Sequence, residues 1–246
     1  MSIETLAVVI AAVFLSAFVR GLAGFGFALA AVPAVSFFAP PLEAVALAVM
    51  LQLIVGLRDV VTLRGSLHLP SLARLAIGSL IGIPIGIAAL AGLSPNAARI
   101  LIAFAVLSGL GLILRRRPAG TAPHPGLALG AGVASGVFSG LAAMPGPPAV
   151  AYYLTTGLAP VQTRATLLVF FCFTSAMAMP GLVLAGAIDR QSLMLTALSL
   201  PAMLIGTWAG MAAFRRLDHA QYRRLAIAVM ACSALFAGAR GLAGLI

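Results

Sequence analysis

Lysine is absent from this chain, and acidic residues number only five. Charged side chains make up 8% of its 246 residues, against about a quarter in an ordinary soluble domain, which excludes a soluble globular fold. The 15 basic residues are all arginine and leave a formal net charge of +10. In a soluble chain that balance would suggest nucleic acid. Here the arginines fall mostly in short connections between apolar segments, where they set topology and meet anionic headgroups, so nucleic acid is not an expected partner. Cys172 and Cys232 both lie in apolar segments without CxxC or CxxH spacing and read as small buried hydrophobes rather than redox or metal ligands. HExxH, GxSxG and Walker motifs are missing, as is a pair of catalytic carboxylates, so an intramembrane enzyme has little support. His68, His124 and His219 sit in connections, and Glu43, Asp59, Asp189 and Asp218 sit near segment ends. No buried carboxylate relay is evident, and neither a cofactor nor a metal is called for.

What is present is apolar sequence: 62% of residues are hydrophobic, and Gly21–Leu42 and Pro125–Gln162 carry no charge. Runs of that length read as membrane helices. The chain is apolar from Ile3 but has Glu4 and no basic stretch before it, as expected of an uncleaved first helix. Charges, Pro and Gly mark off five segments per half. They are Ile3–Val19, Phe27–Ala39, Leu42–Leu57, Leu69–Leu93 and Ala97–Leu114, then Leu127–Ala143, Pro147–Leu158, Ala165–Ala185, Ser192–Phe214 and Leu225–Ala239.

The halves repeat. Arg20-Gly-Leu-Ala-Gly-Phe-Gly26, continued to Pro41, aligns without gaps to Ser139-Gly-Leu-Ala-Ala-Met-Pro145, continued to Pro160, at an offset of 119 residues. Later matches shift slightly: Gly82, Gly86 and Arg99 correspond to Gly206, Gly210 and Arg223. The expected organisation is a first membrane repeat over 1–118, a cytoplasmic linker over 119–126 and a second repeat over 127–246. Placing the arginine-rich connections (Arg58–Arg74, Arg115–Arg117, Arg215–Arg224) in the cytoplasm satisfies every loop together. It also inverts the second half relative to the first and puts both termini outside, with residues 115–125 cytoplasmic. Pro147–Leu158 spans only about 18 Å of a roughly 30 Å core, as half of a re-entrant hairpin would, or a full crossing extended by its neighbours. The fold class expected is all-α: a multi-pass protein of the cell inner membrane with eight to ten membrane helices, built from two inverted repeats with Gly/Pro-broken hairpins.

Two inverted copies of a broken helix would bring two helix starts toward one point near the midplane. Free N–H groups and the helix dipole make each start a site for an anion, and Pro147 and Pro148 suit a first helical turn. The binding candidates are therefore Gly21, Gly24, Phe25 and Gly26 in the first break, and Ser139, Gly140, Met144, Gly146, Pro147 and Pro148 in the second. Arg20 and Arg164 are the ionisable residues nearest the breaks, and an arginine at membrane depth faces a cavity or a partner. Gln52, Thr174 and Tyr152 are secondary candidates. The four-residue spacing of Gly78/Gly82/Gly86 and Gly132/Gly136/Gly140 instead suggests helix packing.

These residues resemble the TauE/SafE family of sulfite exporter-like membrane proteins. Gly21, Gly24, Gly26 and Pro33 match its first Gly-rich break, and Ser139, Gly140, Gly146, Pro147 and Pro148 match its second. The family's usual Gly triplet is broken here by Phe25 and by Met144-Pro145. The resemblance implies export of a small anion such as sulfite, a sulfonate or a related organic acid, by alternating access between the halves. An interior-negative potential of about 100 mV favours outward movement of a monovalent anion by about 2.3 kcal/mol. A drug/metabolite-type transporter of another solute and a non-transport membrane scaffold share parts of this pattern. The expected partners are the anion and the lipid bilayer, with homo-oligomerisation left open.

Overall fold

The computed structural model describes residues 3–114, 123–153 and 155–214. Arg115–Arg117, residues 119–122 of the linker and the expected tenth segment, Leu225–Ala239 with Cys232, lie outside the described residues. Among those described, every regular element is a helix. They are α1 (Ile3–Ala23), α2 (Phe27–Val35), α3 (Pro41–Leu63), α4 (Leu69–Gly92), α5 (Pro95–Leu114), α6 (Pro125–Ala142), α7 (Gly146–Tyr153), α8 (Pro160–Leu184) and α9 (Arg190–Phe214), with a 3-10 turn at Arg64–Ser66. Six of them (α1, α3, α4, α6, α8 and α9) are long and apolar enough to cross a bilayer. The chain is a multi-pass, all-helical membrane protein.

Helix boundaries follow local chemistry and recur between the halves. Pro41, Leu69-Pro70, Pro95, Pro125 and Pro160 stand in first turns, where a missing N–H costs nothing. The ends of α1 and α6, the starts of α2 and α7, and the starts of α3 and α8 all fall 119 residues apart. Asp189 and Ser192 cap α9 reciprocally: the carboxylate accepts from the Ser192 N–H at 2.7 Å, and the Asp189 N–H donates to the Ser192 hydroxyl at 2.8 Å. Those bonds hold the Asp189 carboxyl below its ordinary range.

Glycine then decides which helices can touch. On α4 and α6, a Cβ at Gly78, Gly82 or Gly86, or at Gly132, Gly136 or Gly140, would collide with backbone of the other helix. The same holds between α1 and α9, where Gly206 and Gly210 abut the Phe14 and Phe18 carbonyls and Gly21 abuts Thr207. In membrane interiors such close backbone approach, rather than hydrophobic exclusion, holds helices together. The first long helix of each half thus packs on the fourth of the other: α1 on α9, and α6 on α4. Between them α3 packs on α8, where Gly56 lies against Cys172. The outer face of α4 carries Ile77, Ile81 and Ile85, all more than half exposed, as a lipid-facing stripe requires.

Candidate functional site

The two breaks meet. After α1 the chain turns through Gly24 (φ +78°) and Gly26 (φ +94°) into α2, and after α6 through Ala143 (φ +56°) and Met144–Pro145 into α7. Gly24 and Ala143 are equivalent in the repeat and share the left-handed conformation that ends a helix. In alanine that conformation costs about 1–2 kcal/mol, so the second break holds strain that the first avoids. The Ala143 N–H bonds back to Ser139 and the Met144 N–H to Phe138, which closes the end of α6.

A cavity lies between the turns, lined by Arg20, Phe25–Leu29, Gln52, Ala143–Pro147 and Phe171. The space open to the centre of a water-sized sphere is about 20 Å³, room for about one water. Gly26 caps α2 without a side-chain acceptor. The N–H groups of Phe27, Ala28 and Leu29 precede the first intrahelical bond, which runs from Ala30 to Gly26. The start of α7 differs. Pro147 and Pro148 have no N–H, so two of the donors of that first turn are missing and Gly146 keeps its own. The two helix dipoles are alike, but the donors belong mostly to α2.

Arg20, 5% exposed, donates to and pairs with Asp59 of α3, whose side chain is 17% exposed. Sequence alone placed Asp59 at a segment end with no role. The rule that an arginine at depth needs a partner was the available signal, but nothing in the 39-residue separation named this one. Phe171 was missed as well, because a phenylalanine on an apolar helix carries no chemical mark.

The breaks are braced across the halves. Gln52 of α3 donates from Nε2 to the Ala143 carbonyl at 3.0 Å, and Arg164 of α8 donates to the Gly21 carbonyl at 3.1 Å. The Arg164 stem also lies against Gly24, where a Cβ would come within 3.0 Å of its Cγ and Nε. Each half therefore supplies, from its third helix, the donor that holds the other half's turn. The equivalents of Gln52 and Arg164 are Phe171 and Val45, so the roles repeat while the positions do not.

Of the residues singled out from sequence, Arg20, Phe25, Gly26, Gln52, Met144, Gly146 and Pro147 line the cavity. Gly21 and Gly140 pack helix against helix, and Ser139 and Pro148 are buried beside the second break. Gly24 and Arg164 brace the first break from behind. Thr174 donates to the Phe171 carbonyl. Tyr152 points elsewhere: its hydroxyl lies 3.3 Å from Ser71 Oγ, which is 2.8 Å from His68 Nδ1. Among the described residues no cluster of His, Cys, Asp or Glu could hold a metal.

The site is thus a small cavity inside a multi-pass helical protein, walled by two interrupted helices, with Arg20 and Gln52 set among apolar side chains. That is the build of a membrane transporter rather than of a pore or a packed core. The chain belongs to the sulfite exporter TauE/SafE family, a family of transporters, whose description matches it over residues 9–237. A relative from Cupriavidus necator, described as a probable sulfite/organosulfonate exporter TauE, is 27% identical over 164 residues, covering 65% of this chain and 64% of that protein. The aligned part is thus less than two thirds of that relative's length. No solved structure matches.

Proposed function

We propose that the chain exports a small oxyanion, sulfite or a sulfonate, across the cell inner membrane by alternating access between two inverted halves. The observation that carries this reading is the meeting of both breaks in one cavity that combines the α2 amides with Arg20. Amide N–H groups at a helix start and a planar guanidinium are complementary to an oxyanion. A neutral or cationic solute would leave the α2 amides without an anionic acceptor, which argues against a drug/metabolite-type cargo.

The exchange of helices between halves (α1 on α9, α6 on α4) supports a two-fold relation between them. The arginine-rich connections supply its inverted sense. The cavity is small, and in this reading loading a sulfonate requires the turns at Gly24–Gly26 and Ala143–Pro145 to part.

Proteoliposomes loaded with radiolabelled sulfite or sulfoacetate test this. Efflux should depend on the protein and fall at least tenfold in Arg20→Gln. Efflux unaffected by the protein, or by that substitution in a folded sample, overturns the assignment.

A further inference from the structure

Arg20 is the cation at the cavity, yet its charge is already spent on Asp59. An incoming oxyanion must take the guanidinium from that carboxylate or bind without it. We propose that Asp59 is a built-in competitor for Arg20, displaced by the anion and protonated as it leaves; the inference rests on the oxyanion reading of the cavity.

The chemistry follows from placement. With the pair formed, the site holds one positive and one negative charge in a poorly hydrated interior. Adding an anion would leave two negative charges beside a single cation, a costly arrangement at this depth. Asp59 relieves it by forming one O–H bond with a proton drawn from solvent, while Arg20 keeps its charge and exchanges one oxygen partner for another. Asp59 retains a route to water, since its side chain is 17% exposed and stands one turn before the end of α3.

Among the described residues no other carboxylate pairs with Arg20. Around Asp59 stand Arg20 of α1 and the Cys172 thiol of α8, which feels both charges. Arg58 adjoins it on α3, and Arg64 follows in the next turn. Of the remaining ionisable groups on packed elements, Arg164 of α8 is turned to Gly21. Arg99 of α5 is bonded to Ser36 and Asn96. Arg190 opens α9, and α2 has no ionisable residue.

The test is the affinity of the purified full chain for ethanesulfonate, the anion of a strong acid, whose own charge stays fixed while a carboxylate titrates. Wild-type affinity should rise as pH falls, approaching tenfold per unit in the steepest part of the curve. Asp59→Asn should bind with a flat pH profile and, at neutral pH, at least tenfold more tightly than wild type. Asp59→Glu should restore the slope. Because Asp59→Asn leaves a buried arginine unpaired and risks misfolding, proton uptake is also measured on wild type in weakly buffered detergent solution, where close to one proton per bound ethanesulfonate is expected. A flat wild-type profile, a slope unchanged in Asp59→Asn, or no proton uptake overturns the proposal while leaving anion binding intact. If wild type binds no ethanesulfonate at any pH, the oxyanion reading itself falls and the proposal with it.

Discussion

An alanine at position 24 meets two obstacles at once, a φ of +78° and the stem of Arg164. Gly24→Ala should cost about 1–3 kcal/mol, read as a lowered Tm. Gly146→Ala should cost less, because its Cβ finds only ordinary contact with Phe171 and its backbone is helical. Gln52→Ala strands the Ala143 carbonyl, at about 1–3 kcal/mol. Asp189 gives a pH signature. Its carboxyl is held below its ordinary range by the Ser192 N–H and hydroxyl, so its stabilisation is full above the unfolded carboxylate range and is lost as pH falls through the folded value. Asp189→Ala should lower Tm at neutral pH and converge with wild type in acid. Glycines and prolines were legible as breaks at this scale, because their backbone limits belong to the residue itself. The partners were not, since Arg20 with Asp59, Gln52 with Ala143 and Arg164 with Gly21 join positions 39, 91 and 143 residues apart.

Helices in this protein are sorted by where backbone meets backbone. Gly86→Ala on α4 and Gly210→Ala on α9 occupy matching positions, and each would drive a Cβ into a carbonyl of the facing helix, Val137 or Phe18. Both should destabilise by about 1–3 kcal/mol or more in thermal melts in detergent. Gly130→Ala, with nothing within 4 Å of its added Cβ, should be neutral or stabilising by up to about 1 kcal/mol. The four-residue glycine spacing announced these packing faces before the fold was known. It could not tell which helix each face meets, because a smooth strip fits any other. The short second segments were legible by length alone. Eight or nine residues, about 12–14 Å of helix, cannot cross the membrane's hydrocarbon core, and this leaves their starts buried against the cavity.

For the molecule as a whole, arginine placement sets an orientation that thiol labelling can read. A cysteine at position 188, in a Cys172→Ser/Cys232→Ser background, should react with an impermeant reagent added outside intact cells, and one at position 116 should not. Equal labelling would remove the proposed inverted arrangement and, with it, the symmetry on which the proposed alternating access rests. The duplication was visible because the first break of each half recurs without gaps, whereas the asymmetry of the site was not. One break is served by three α2 amides, Arg20 and Asp59, and the other by Gly146 and a glutamine, a division that arises from side chains with no equivalent in the other half. The most direct measurement of the central claim is efflux of radiolabelled sulfoacetate from proteoliposomes, comparing wild type with folded Arg20→Gln and Gly26→Val. Rapid protein-dependent efflux in wild type and its loss in both variants is the predicted result. Equal efflux from all three, or none above empty liposomes, would contradict an anion path through the joined breaks.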